Sequence, residues 1–406
     1  MALLPVADAL AQILSGVTVL TEEQVPLGTA RGRVLAASLP ALRTQPGFDA
    51  SAMDGYAVRA QDAVAGACLT LIGESAAGHG FDGRLGPGEA IRIFTGAPVP
   101  DGADAVVIQE NTRREGDRVT IEMGAVAGRN IRRRGLDFIE GAASLAAGSL
   151  LGPRDMALAA AMNYPAVPVR RRPKVAILAT GDELVLPGEA VGRDQIVTSN
   201  SFALAALVEA EGGEVLDLGI APDDFPALEA AIRRARDERV DVLITIGGAS
   251  VGDHDLIQTA LTREGMTLGF WKIAMRPGKP LLHGRLQGMH ILGLPGNPVS
   301  AVVCGILFLA PLLRALLGRI DAAVPRRRAV FATAWPANDL REDYLRARFV
   351  ADGESGPPRV VPSTPQDSSL VGVLQQADCL VIRPPHAPAA KAGDACEIID
   401  LRAAGY

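Results

Sequence analysis

One stretch, Asp241 to Asp255 (DVLITIGGASVGDHD), constrains the fold of this chain more than any other. Val242 to Ile246 is a short apolar run rich in β-branched residues, the pattern of a strand buried on both faces. It breaks at Gly247-Gly248 into a loop carrying Ser250, Gly252, Asp253 and Asp255. Two other stretches repeat the form. VAILATGDEL (Val175 to Leu184) is a strand followed by Thr-Gly-Asp-Glu, and MHILGLPGNPVSA (Met289 to Ala301) is a strand, a Pro-Gly-Asn-Pro turn and an apolar helix. Three strands that each end in a Gly-rich polar loop point to one crevice at the carboxyl edge of a parallel sheet.

The surrounding pattern extends this to an α/β domain over residues 173–322. Its expected strands are Val175–Ala179, Glu214–Leu218 and Val242–Ile246, alternating with helices Asn200–Glu211, Phe225–Arg236 and Asp255–Arg263. Ser199 or Asn200 can cap the first helix and Asp223 or Asp224 the second. Phe270–Ala274 and Leu281–His283 read as further strands. Val299 to Leu313 is apolar but only 15 residues long and contains Pro311, so it reads as a buried helix, not a membrane span.

Outside that domain the pattern changes twice. Residues 45–136 alternate in short runs separated by glycine, an all-β module. Residues 1–44 and 137–172 are helix-like in part, with Thr21-Glu22-Glu23 placed to cap a second helix. The simplest account joins them into one elongated linker domain with the β module inserted between, since inserting a segment costs little closure entropy. Residues 323–406 hold five short strands, enough for a small β barrel. The expected fold is thus multidomain α/β, with a central parallel sheet.

Composition excludes several functions. Aromatic residues are 4% of the chain and the net charge is −6, which argues against single-stranded and duplex nucleic acid as partners. The 4 cysteines form no CxxC pair and the 5 histidines no HxxxH, which points away from zinc and towards Mg²⁺ on carboxylates. No secretory leader or membrane span is expected, and a cytoplasmic setting fits the scattered cysteines.

The loops supply the candidate chemistry. Asp182 or Glu183 either caps the next element or faces a metal or a protonatable substrate atom. The Gly247–Gly252 loop, including Gly248, Ser250 and Gly252, can turn backbone N–H groups towards an anion. Asp253 and Asp255 can repel an anion, hold Mg²⁺ against its oxygens, or cap the helix. Pro298 suits a first helical position and Asn297 its cap, with Ser300 in the first turn. Lys272, Arg276 and Lys279 crowd three cations into one proline-stiffened loop, which fits an anionic substrate. Asp54 and Thr95 read locally as turn formers.

Together, SAMDGYA, TGAPVPDGADAVV, RRRGLDF, TGDEL, GGASVGDHD, MRPGKP and GLPGNPVS, in this order, resemble the molybdopterin molybdenumtransferase family, whose members include the bacterial MoeA type, the plant molybdenum insertase and animal gephyrin. The resemblance runs from about residue 4 into the C-terminal barrel. It implies insertion of molybdate into adenylylated molybdopterin with release of AMP, a requirement for Mg²⁺, and a homodimer whose active cleft is shared between subunits. It also implies transient contact with the molybdopterin adenylyltransferase and with molybdoenzyme acceptors. Carried over by position, it implies functional roles for Asp54, Thr95, Asp137, Glu183, Asp223, Asp255, Lys272, Arg276, Lys279, Pro295 and Pro298. Glu183 and Asp255 are the implied metal ligands. Ser300, Arg346 and Ser368 match positions that hold molybdate. Arg276 stands where some members have lysine, which keeps the charge and changes the donor geometry. Two rival readings share parts of the pattern: the adenylyltransferase, which has the α/β domain, and a non-catalytic scaffold.

Overall fold

The computed structural model describes residues 3–247, 256–350, 356–403 and 405. Its centre is a six-stranded sheet in the order Glu214–Ala221, Lys174–Thr180, Val242–Ile246, Met289–Leu294, Leu282–Leu286, Thr267–Phe270. The first four strands are parallel, and the last two add antiparallel. Every residue of Val242–Ile246 is buried, as its unbroken apolar run requires. One apolar cluster fills one face of the sheet (Ile177, Ile244, Leu292, Val303, Phe308), and a second fills the other (Ala176, Leu243, Leu228, Ile257).

Helices Asn200–Ala210, Phe225–Asp237 and Leu256–Arg263 follow their strands as expected. Asp224, not Asp223, caps the second of them, accepting from the Ala227 N–H at 2.8 Å. The apolar segment near residue 300 forms a helical run of Pro298–Cys304, Gly305–Leu309 and Ala310–Leu316. It is long and apolar enough to cross a membrane, yet 89% of it is buried within the protein, which makes it the core helix of this domain.

Two expected elements differ. Glu22–Pro26 is a strand paired antiparallel with Ala166–Arg170, so Thr21-Glu22-Glu23 caps no helix. The strand expected at Phe270–Ala274 ends at Phe270, and Ile273 instead bridges Leu4. Met275–Arg276 then leaves the α/β domain and joins the Glu342–Phe349 strand of the C-terminal barrel in parallel.

The β module is a sheet of six strands between Gly55 and Ile121, entered and left through the paired segments Ala50–Ser51 and Ile131–Arg132. The C-terminal strands close on themselves: Glu342–Phe349 pairs with both Arg359–Pro362 and Cys379–Arg383. The barrel does not stand apart from the α/β domain. Its Tyr344, Leu380, Ile382, Ile399 and Leu401 share one apolar core with Ile244, Leu292 and Val303. The N-terminal helix Val6–Leu14 buries Val6, Ala9 and Ile13 in the same core.

Two histidines lie inside the sheet. His283 and His290 have ring centroids 6.2 Å apart, and neither ring nitrogen of His283 has a hydrogen-bond partner. Burial first, and then the positive charge of Arg285, push His283 down to about 4. Burial, Arg285 and His283 push His290 down to about 3, against a small opposing pull from Asp241. Both rings are therefore neutral when folded and bind protons when unfolded at about pH 6.5. The unfolded state carries more protons below that value, so stability is complete above it and falls as the pH drops towards about 4. Urea midpoints measured across this window should fall with pH, and replacing both histidines by leucine should flatten the slope. Equal slopes would refute the assignment.

Candidate functional site

The loops at the carboxyl edge of the sheet open into a cavity of about 660 Å³. Thr180 and Glu183 line it from the first loop, Gly247 from the second, and Pro295 to Pro298 from the third. Lys279 and Pro280 enter from the basic loop, and Ser369 and Val371 close it from the barrel side. Cavities of roughly 300–1,000 Å³ hold ligands of nucleotide size. The convergence of three strand ends follows directly from parallel pairing, since parallel strands present all their carboxyl ends on one edge.

Glycine is required where this edge is tightest. Gly247 has φ +90°, and a Cβ there would stand 2.6 Å from the Thr180 carbonyl oxygen. The basic loop is seated the same way: a Cβ on Gly278 (φ +127°) would meet the buried Cys304 Sγ at 2.8 Å. Cys304 is thus a floor under the loop, and complete burial pushes its thiol far up. It is a packing group, not a reactive one.

Glu183 faces the cavity from the first loop, and two further carboxylates, Asp182 and Asp223, lie near it. The Asp223 N–H donates to Asp182 Oδ1 at 3.2 Å. Burial, followed by the negative charges of Asp182 and Glu183, raises the Asp223 carboxyl above its usual range. This is a local excess of negative charge beside the cleft. Among the described residues no group of three or more His, Cys, Asp or Glu side chains is arranged to hold a metal. Gly248, Ser250, Gly252, Asp253 and Asp255 lie outside the described residues.

The three cations separate in space. Lys279 lines the cleft. Lys272 Nζ sits 4.8 Å from the centroid of the Trp271 ring. Arg276 is engaged with the barrel: its Nε donates to Asp343 Oδ1 at 2.8 Å, its Nη2 pairs with Asp343 Oδ2, and Nη1 reaches Asp339 at 3.4 Å. That pairing raises the guanidinium pKa further. Arg276 shares a smaller cavity of about 260 Å³ with Arg346, Gln366 and Arg383, at the mouth of the barrel. Arg346 is 1% exposed and its Nε has no hydrogen-bond partner. Burial pushes its pKa down to about 10.

The Pro-Gly-Asn-Pro turn is tied from both sides. Pro298 opens its helix as expected, but Asn297 does not cap it with its side chain. Its Nδ2 donates instead to Ser368 Oγ at 3.0 Å, and the Val299 N–H donates to the Ser368 carbonyl at 3.0 Å. From the other side Asn200, expected as a cap, donates Nδ2 to the Gly296 carbonyl at 2.7 Å. Ser300 is buried in the first turn. Ser368 therefore fastens the barrel to the turn, while its neighbour Ser369 lines the cavity.

Asp54 and Thr95 meet each other within the β module. Asp54 Oδ1 accepts from the Thr95 N–H at 2.7 Å and the Thr95 hydroxyl at 2.8 Å. These bonds, then the charge of Arg92, hold the Asp54 carboxyl below its usual range. Arg92 was not among the residues singled out from sequence. It lies over the Tyr56 and Phe94 rings and donates to the Gly55 carbonyl and Gln109 Oε1, bracing both loops. Its alternation within Glu89–Ile93 carries no sign of that role. Asp137 is exposed at the base of the module, where its N–H donates to Gln45. Among the described residues, the hydrogen bonds of Asp54 and Thr95 stay within the module.

This geometry defines a class: a multidomain α/β protein with a cleft at the edge of its central sheet, bordered by Ser369 and Val371 of the C-terminal barrel region. Three family models match in sequence: the MoeA N-terminal region (domain I and II) over residues 4–163, a probable molybdopterin binding domain over 176–315, and the MoeA C-terminal region (domain IV) over 328–401. The chain is 36% identical over 362 residues to a molybdopterin molybdenumtransferase of Haemophilus influenzae, covering 89% of each. It is 37% identical over 388 residues to molybdopterin molybdenumtransferase 2 of Mycobacterium tuberculosis, covering 93% of this chain and 94% of the relative. A crystal structure of the molybdopterin biosynthesis MoeA protein from Pyrococcus horikosii superposes with a TM-score of 0.83 at 30% identity, covering 98% of this chain and 99% of that one. The chain belongs to the molybdopterin molybdenumtransferase family.

Proposed function

We propose that this protein inserts molybdenum, supplied as molybdate, into molybdopterin. We further propose that the pterin arrives adenylylated and that AMP leaves. The observation that carries the reading is the single cavity lined by Lys279, Glu183, Gly247 and the Pro295–Pro298 turn.

Two anions must approach each other in such a reaction. Their repulsion is about 4 kcal/mol per pair of unit charges at about 4 Å and an effective dielectric of about 20. Lys279 opposes that repulsion from within the cavity, and the N-terminal end of the helix opened by Pro298 adds a partial positive charge. Glu183 is the one of the nearby carboxylates Asp182, Glu183 and Asp223 that lines the cavity, and Mg²⁺ needs only one or two carboxylates, with water and substrate oxygens completing its shell. Bound there, Mg²⁺ would neutralise charge on the phosphate oxygens; Glu183 is the group of this chain best placed to orient it. Arg346, buried with an unpartnered Nε beside Arg276, supports a second anion-holding position at the barrel mouth. The molybdenum ligands themselves are the soft sulfur donors of the pterin, which suit that metal, and no cysteine is among the described residues lining the cavity.

The proposal extends to a homodimer in which Asp54, Thr95 and Asp137 of one subunit complete the cleft of the other. It includes a cytoplasmic setting, transient docking of the adenylyltransferase and delivery to molybdoenzyme acceptors. The deciding experiment supplies purified protein with adenylylated molybdopterin and follows AMP by chromatography with and without molybdate. Molybdate-dependent AMP release supports the reading; ATP-dependent adenylylation without such release would replace it.

A further inference from the structure

Asp54 and Thr95 leave their strands at the same end of the β module's sheet. Gly55–Val58 pairs antiparallel with Glu89–Ile93 on one side and with Ala105–Ile108 on the other, so the segments at Asp54, at Phe94–Thr95 and at Gln109 converge. Both Asp54 and Thr95 are exposed. Water competes for bonds between exposed side chains, so this pair keeps one geometry only as far as the two backbones that carry it are fixed.

One side chain ties all three segments together. Arg92 stands opposite Tyr56 in the register; its Nη1 donates to the Gly55 carbonyl at 3.1 Å and its Nη2 to Gln109 Oε1 at 2.7 Å. Gln109 in turn donates its backbone N–H to the Asp54 carbonyl at 3.1 Å. The guanidinium carbon lies 5.2 Å from the centroid of the Tyr56 ring and 4.8 Å from that of Phe94, the residue before Thr95. A Cβ on Gly55 would run into the Val107 carbonyl oxygen, so the backbone beside Asp54 is also packed from behind. Lysine at position 92 would keep the charge but not the planar fork that meets two acceptors while lying against rings. We propose that Arg92 is a positioning residue for the reaction: by bridging the Asp54, Phe94 and Gln109 segments it holds the Asp54 carboxylate in one orientation against Thr95. This assignment rests on the function proposed above, and it adds a residue that acts through Asp54.

The test is a double-mutant cycle on molybdate-dependent AMP release by the full-length protein, with Arg92→Met, Arg92→Lys and Asp54→Asn. Arg92→Met should lower kcat by about tenfold or more with KM little changed, since a reacting group misplaced by about 1 Å can cost about 10²-fold. Arg92→Lys should fall as far, because it keeps the charge and loses the fork. In the Asp54→Asn background neither change should lower the residual single-turnover rate further, as nothing is left to position. An equal loss in both backgrounds, recovery in Arg92→Lys, wild-type kcat in Arg92→Met, or near wild-type turnover in Asp54→Asn would each overturn the proposal. A second readout does not depend on turnover. The Thr95 amide proton, held downfield by its bond to Asp54, should move upfield in Arg92→Met while the other amides of the module and the unfolding midpoint stay put. An unmoved Thr95 resonance, or shifts spread over the whole module, would also overturn it. Absence of AMP release by the wild type would instead overturn the function, and the Thr95 resonance alone would then decide whether Arg92 orients Asp54.

Discussion

Replacing Lys279 by alanine is expected to lower molybdate-dependent AMP release by about 10²–10³-fold, the range for removing one preorganised charged donor from a reaction site. The loss should fall mainly on kcat, because the charge matters most when the two anions are closest. Lys279→Arg should restore part of the rate. The matching change at Arg276 should behave differently. Arg276 is held by Asp343 and Asp339, so Arg276→Ala leaves the 5%-exposed Asp343 carboxylate without its partner. Stability should drop along with activity, and an unfolding curve would reveal it. A Lys279→Ala enzyme with near wild-type turnover would remove the cleft from consideration as the reaction site.

The second large effect concerns Asp54. Its carboxylate is oriented by two bonds from Thr95 and is ionised at neutral pH. Asp54→Asn should cut turnover by at least about 10²-fold if that charge acts on substrate. The informative experiment mixes two inactive proteins. If each cleft takes Asp54 from one subunit and Lys279 from the other, an Asp54→Asn/Lys279→Ala heterodimer has one intact cleft and one doubly altered one. Random reassortment of equal amounts should then recover about a quarter of wild-type activity. Recovery absent after verified subunit exchange would mean that Asp54 and Lys279 serve the same subunit's cleft, or that Asp54 lies outside the reaction site.

Much of the central domain was legible before any coordinates. The run Val242–Ile246 has no polar position, so it had to be a strand covered on both faces, and alternation with helices forced its neighbours parallel. That alone placed Thr180, Glu183, Gly247 and Pro295 on one edge. The misses share a physical origin. Whether Glu22–Pro26 becomes strand or helix start depends on Ala166–Arg170, more than a hundred residues away, and local propensity cannot see that partner. Asn297 and Asn200 were placed as caps because asparagine favours that position, but each found a long-range acceptor instead. The basic loop was read as one cationic unit. Its charges diverge because Met275–Arg276 is captured by a strand of the barrel, so Arg276 meets Asp343 while Lys279, between Pro277 and Pro280, returns to the cavity.

That captured strand, with barrel side chains embedded among those of the central sheet, means the parts of this chain are not beads on a string. Cutting near residue 325 would strip Arg276 of its strand partner and bare the apolar patch that Tyr344, Leu380 and Ile382 now cover. A lineage could not trade its barrel for another without redesigning the middle of the molecule, and the two must be inherited as a single piece.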